Sequence, residues 1–233
     1  VHRAAWDLRW PDISPVNLKR TGPATPWDEV PAGPLATPGT YTVTLSQRVR
    51  GVETDLTSPA TFNTTWLRNN TTATDDFAGL VAFQQEAGSL QRAVRGAVST
   101  ARDAQDRLDH IRQAINDTPA LGRALLDEVD GLETRLKDLR LVLEGDRTIA
   151  NRSEPTTSSI TDRTGQLMYT TREITSAPTA TMRQDLVIAA SQFGPLLRSL
   201  TTLVTTDLVS LENRLEAAGA PHTPGRIPVW TGR

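Results

Sequence analysis

Cysteine is absent from the 233 residues, which excludes disulfides and thiolate metal sites but fixes no compartment. Histidine is scarce: His2, His110 and His222 lie far apart, and only His110 falls in a helical pattern. Asp106, Asp109 and His110 make one cluster with no facing partner motif. That falls short of the ligand set of a carboxylate-bridged di-iron bundle, so it reads as a solvated helix face. No G-x-S-x-G elbow, phosphate loop or dinucleotide fingerprint occurs. No apolar run reaches the roughly 18 residues of a membrane span. Charge of one sign is lacking too: 25 Lys and Arg stand against 27 Asp and Glu, for a net charge of -2. That balance gives no electrostatic reason to expect nucleic acid or an anionic membrane as a partner. No catalytic residue, metal or cofactor is expected from this chain.

What the chain does have is period. From Thr74 to Asn116 the apolar residues Leu80, Phe83, Ala87, Leu90, Val94, Ala97, Ala101, Ala104, Leu108, Ile111 and Ile115 recur at alternating steps of three and four. This is the seam of a long helix packed along its whole length. Thr74 or Asp75 is expected to cap it, and Asp103 and Arg107 to pair on its wet side. Asp117-Thr118-Pro119 breaks it and starts a second helix, with Leu125, Val129, Leu132, Leu136, Leu139 and Leu143 inward and Gly145 as its stop. The acidic stretch Asp127, Glu128, Asp130 and Glu133 reads as a solvated face. A polar excursion, 146–159, leads to a shorter helix over about 160–175, with Ile160, Leu167, Thr171 and Ile174 inward. After Pro178 a last helix runs from about Thr179 to Ala218. Its expected seam is Leu186, Ala190, Phe193, Leu197, Leu200, Val204, Leu208, Leu211, Leu215 and Ala218.

At 1.5 Å per residue the first and last helices are each about 60 Å long, and the two middle ones total about the same. An antiparallel bundle of three rods, the middle one broken near 145–160, follows. A four-helix bundle with two short members is the alternative.

The first part has period two. Ala4, Trp6, Leu8 and Trp10 alternate with Ala5, Asp7 and Arg9, and Tyr41, Val43 and Leu45 with threonines. Arg50-Gly51 marks a hairpin turn between Tyr41–Leu45 and Val52–Thr57, and Ala60–Trp66 gives a last strand. The segment 11–39 is rich in Pro and Gly. Fold class is therefore α+β in two segments. A partial Ig or fibronectin-type III-like β-sandwich occupies 1–67, a linker 68–74, the bundle 75–219 and a Pro-rich tail 220–233. Such a sandwich usually has about seven strands, and only about four are visible. Val1 also stands without Met, so a processed piece of a longer protein is expected, with an apolar face left for another segment to cover. Trp6, Trp10, Trp27 and Trp66 belong to this part. They are candidate contacts for a partner or a sugar, since aromatic faces stack on both.

Trp6-Asp7-Leu8-Arg9-Trp10-Pro11, Gly33-Pro34 and Pro38-Gly39-Thr40-Tyr41-Thr42-Val43 resemble the Ig-like module of large secreted bacterial proteins with sialidase-like or sortilin-like β-propellers. Those proteins carry Asp-box repeats and are often labelled glycosyl hydrolases. Gly145-Asp146, Glu154-Pro155, Ser176-Ala177-Pro178-Thr179-Ala180 and Leu215-Glu216-Ala217-Ala218-Gly219-Ala220-Pro221, running into Pro224-Gly225-Arg226, resemble that family's C-terminal helical region. The loop 12–32 departs from the usual Gly-rich segment, and the Asp-box repeats are absent. The resemblance implies a β-propeller upstream of Val1 as the partner, with self-association or another envelope protein as further partners, and a secreted or cell-envelope location. It makes the chain a non-catalytic structural and interaction module. Two alternatives follow: an accessory part of a glycoside hydrolase whose active site lies upstream, or a carbohydrate-binding module using its tryptophans.

Overall fold

A computed structural model of the chain describes residues 3–12, 15–16, 18, 33–65, 74–172, 174–230 and 232. Trp27, Trp66 and most of the expected linker lie outside the described residues.

Four strands precede the helices: β1 (Gly39–Val43), β2 (Ser46–Val49), β3 (Val52–Asp55) and β4 (Ala60–Thr64). They form two antiparallel two-stranded ladders, β1 with β4 and β2 with β3. The expected strand over Ala4–Trp10 is a correction. Leu8 has φ +61°, a left-handed conformation that breaks an extended run. What remains is a single bridge, Arg9 to Leu35.

The helical part follows the apolar periodicity. Helix α1 (Phe77–Asn116) buries every residue of the expected seam except Leu90, which is half-buried. Its cap is Asp76, whose carboxylate accepts from the Gly79 amide at 2.8 Å, rather than Thr74 or Asp75. A 3₁₀ turn (Pro119–Leu121) and Gly122 at φ +71° lead into α2 (Arg123–Glu144). Gly145, at φ +80°, ends it. After the short α3 (Arg147–Ala150), helix α4 (Ile160–Thr171) starts at a capping box formed by Ser159 and Asp162. It ends at Thr171, earlier than its sequence pattern suggests, leaving Ile174 beyond it. Helices α5 (Ala180–Thr202) and α6 (Leu208–Ala217) are joined by a π-helical segment, Leu203–Asp207.

Side-chain contacts between helices set the direction of the rods. Arg112 meets Glu133 at 2.7 Å, Arg102 meets Glu144 at 2.9 Å, and the Gln84 amide donates to the Thr171 carbonyl at 2.7 Å. Moving up α1 is moving down α2 and α4 in sequence, so the two are antiparallel. The Thr161 hydroxyl donates to the Leu143 carbonyl at 2.7 Å, which seats α4 on the end of α2. Together they make the broken middle rod. Arg183 lies over the Phe83 ring and Arg107 meets Glu212 at 2.7 Å, so the third rod, α5 to α6, runs parallel to α1. Arg107 therefore reaches across the bundle, not to Asp103 on its own helix. The acidic stretch of α2 is likewise tied across helices: Asp130 and Glu133 hold Arg112, and Glu128 holds Arg214.

The seam of the third rod is a second correction. Ala189, Leu196 and Leu203 are buried. Ala190, Leu197 and Ala218 face outward, and Val204 is half-buried. Leu186, Ala189, Phe193, Leu196, Leu200 and Leu203 keep the three-four rhythm. The next buried residue is Leu208, five positions on. A π turn accommodates one extra residue, so the segment 203–207 resets the phase and returns Leu208, Leu211 and Leu215 to the core.

The tail folds back. Ala220, Thr223 and Arg226, three residues apart, are buried. The Arg226 guanidinium donates to the Pro221 carbonyl at 2.7 Å and pairs with Glu216. The Glu216 carboxylate also accepts from the Val229 amide at 2.9 Å. That amide, with Arg226 second, holds the Glu216 carboxyl below the usual carboxylate range.

Candidate docking surface

Arg50 (φ +51°) and Gly51 (φ +85°) both adopt left-handed backbone between β2 and β3. That is the turn whose twist matches a two-residue hairpin. Val49 pairs with Val52, and Gln47 with Thr54. Further along, Val43 pairs with Ala60, Tyr41 with Phe62 and Gly39 with Thr64. Between the two ladders, residues 44–45 stand opposite 56–59, and the Leu56 amide donates to the Leu45 carbonyl at 2.8 Å. The four strands are thus one long ribbon with an irregular joint, where the extra residues bend it.

Cross-strand partners share a face, and the alternation keeps its phase through the joint. One face carries Tyr41, Val43, Leu45, Val49, Val52, Leu56 and Phe62. The other carries Thr40, Thr42, Arg48, Glu53, Asp55, Thr61 and Asn63. There the Thr40 hydroxyl donates to Asn63 at 2.7 Å and Arg48 pairs with Glu53 at 2.9 Å. A hydrogen bond from Ser46, then one from Arg48, holds the Glu53 carboxyl below the usual range. The apolar face stays largely open: Val43 is 55% exposed, Val49 56%, Val52 67% and Phe62 39%. Among the described residues the strands pack chiefly on one another.

Trp6 closes one end of this face. Its ring lies 5.2 Å from that of Tyr41 and 6.2 Å from that of Phe62, and Tyr41 stacks on Phe62 at 5.9 Å. Its indole N–H donates to the Arg9 carbonyl at 2.9 Å. The segment that carries it is held by backbone bonds from the Trp10 amide to Pro34 and from the Gly33 amide to Trp10. Gly33 is required there: a Cβ on it would lie 2.5 Å from the Trp10 carbonyl oxygen. Trp10 remains about half exposed. Of the four candidate tryptophans, then, Trp6 joins the apolar face, and Trp10 lies on the segment that carries Trp6, bonded through its backbone to Gly33 and Pro34. Sequence reasoning singled out the indoles and passed over Tyr41, Phe62 and the valines at the tip. The in-phase alternation across Arg50-Gly51 was the signal for them.

A second concavity, an open cleft of about 770 Å³, lies beside the break in the middle rod. Of its carboxylates, Asp130, Glu133 and Glu144 are tied to guanidinium groups, and Asp146 accepts from the Thr148 amide at 2.8 Å. Glu144, 7% exposed, is the most enclosed. Burial pushes its carboxyl up, but hydrogen bonds from Arg140 and Arg102 outweigh that and leave it below the usual range. A carboxyl lowered by folding stabilises the fold above its unfolded pKa, and that contribution is lost as pH falls through the lowered value. Urea unfolding is accordingly expected to show stability level from neutral pH down to about 5 and declining below about 4.5. Glu144→Gln should lower stability at pH 7 and flatten part of that decline. An unchanged slope would remove Glu144 from the effect.

Among the described residues no group of three or more His, Cys, Asp or Glu is placed to hold a metal, and no helix is long and apolar enough to cross a membrane. No protein-family model, curated protein or solved structure matches the chain.

Proposed function

We propose that the chain is a non-catalytic docking and spacer module of a larger secreted protein. In this reading the ribbon belongs to a partial Ig or fibronectin-type III-like sandwich that docks on a preceding β-propeller domain. The bundle, roughly 60 Å long by the rise of its 40-residue first helix, serves as the rigid spacer. The observation that carries it is the one-sided ribbon: seven apolar side chains share a face that Trp6 covers at its Tyr41 and Phe62 end and that otherwise stays largely open, while the ribbon's charges sit on the opposite face or at the turn. Soluble proteins seldom leave such a face bare unless a partner takes it. The resemblance of 6–11 and 38–43 to the Ig-like module of propeller proteins supports a β-propeller as that partner.

Two measurements test this. The intact mass of the natural protein should exceed 25.4 kDa, the mass of this chain, by at least a domain. The preceding domain, produced separately, should bind the chain in calorimetry, and Val43→Lys with Leu56→Lys should abolish binding. A natural mass near that of the chain, or binding untouched by both lysines, overturns the proposal. If the propeller's central face carries an acid and base carboxylate pair, the module is an accessory of a glycoside hydrolase.

The half-exposed indoles of Trp6 and Trp10 favour a second reading, carbohydrate binding by stacking. Glycan-array binding by this chain that falls with Trp10→Ala would support it, and no binding above background would remove it.

A further inference from the structure

We infer that the apolar face of the ribbon also pairs with the same face of a second copy of this chain, so that docking of the preceding domain and self-association exclude each other. This rests on the reading of that face as a docking surface, and it concerns what occupies the face when the preceding domain does not.

Three observations carry it. The first is area. Trp6, Val43, Leu45, Val49, Val52, Leu56 and Phe62 are each about half exposed. With the two aromatic side chains presenting on the order of 150–250 Å² when fully open and the five aliphatic ones about 60–120 Å², they leave roughly 400 Å² of apolar surface. That is within the range of the largest patch on a monomer, which is often functional. It is about half of the roughly 800 Å² that each partner gives to a standard interface, the size of a weak association.

The second is charge. A two-fold interface sets a patch against itself, so any charge on it meets its own sign. This face carries none: between the valines at the tip and the aromatics at the base, its polar members are Gln47 and Thr54, which are neutral and can hydrogen-bond to their counterparts. Arg48, Glu53 and Asp55 point to the other face by register.

The third is shape. Both ends of the ribbon are apolar, Val49 and Val52 at one and Trp6, Tyr41 and Phe62 at the other. Two ribbons laid antiparallel can therefore set tip over base and interdigitate at the spacing of about 10 Å usual for packed sheets.

The test is sedimentation equilibrium of the 233-residue chain up to about 100 µM, above the micromolar weak end of affinities for standard interfaces. Wild type is expected to approach twice 25.4 kDa at the highest concentration. Val49→Lys with Val52→Lys should return it to the monomer mass with helical circular dichroism unchanged, while Thr40→Lys with Thr61→Lys, on the opposite face, should remain a dimer. Adding the preceding domain should convert dimers to one-to-one complexes. A wild type that stays monomeric throughout overturns the inference, as does a dimer that survives Val49→Lys with Val52→Lys. Neither touches the docking proposal if the preceding domain still binds. A preceding domain that binds the dimer without splitting it removes the mutual exclusion.

Discussion

Leu196→Ala is expected to lower the stability of the bundle by about 2–4 kcal/mol, and Leu197→Ala, one position on, by less than about 1 kcal/mol. The two residues are chemically identical and adjacent, so propensity and the unfolded chain cancel between them. What differs is place: Leu196 is 6% exposed and Leu197 39%. Truncating a buried leucine loses its transfer free energy and leaves a cavity that rigid neighbours fill only partly. Leu208→Ala is expected at the upper end, about 3–5 kcal/mol. That residue is fully buried, just past the π segment, and is enclosed on the side where the phase resets. Urea unfolding followed by circular dichroism measures all three. If Leu197→Ala proved the costlier of the pair, the uninterrupted seam through Ala190, Leu197 and Val204 would be right and the π turn wrong.

Arg226→Ala is expected to cost about 2–3 kcal/mol and to free the tail. The Arg226 side chain is 3% exposed, and its partner Glu216 is 24% exposed. Removal strands a carboxylate and uncovers the carbonyls of Pro221 and Ala220, to which the guanidinium donates at 2.7 and 3.3 Å. Because Glu216 keeps access to water, the cost stays below that of breaking a fully enclosed pair. The loss should be local. Hydrogen exchange at the Val229 amide should rise and proteases should cut within 220–230, while the amides of α1 stay protected. Arg226→Lys should restore little of it, since an ammonium cannot span a carboxylate and two carbonyls from one planar group. A tail that resists proteolysis in Arg226→Ala would show that Ala220 and Thr223 hold it unaided.

The architecture of the helical part was legible because it is written locally. The steps of three and four along α1, the stop at Gly145 and the break near Pro178 depend only on the helical repeat and on backbone freedom. The hairpin at Arg50-Gly51 was legible for the same reason. The open apolar face was legible as a consequence: a ribbon with one apolar side and too few strands has to be left uncovered or covered by something else.

Where two neighbouring residues are both apolar, the repeat cannot choose between them. Ala189 and Ala190, Leu196 and Leu197, and Leu203 and Val204 fit a helical seam almost equally well, and the surface of α1 and α2 makes the choice. The same holds for charge. Arg107 has a partner four residues away in sequence, yet it pairs with Glu212, 105 residues on, because the third rod brings that carboxylate beside it. Leu8 fits an alternating strand until the chain must turn to lay Trp6 on Tyr41. The sequence alone thus determined which segments are rods, where most of them stop and that the ribbon is one-sided, since these follow from short-range geometry. The phase of the third rod, the partners of the buried arginines and the anchoring of the tail were decided only by tertiary structure, since each depends on groups that folding brings together from distant parts of the chain.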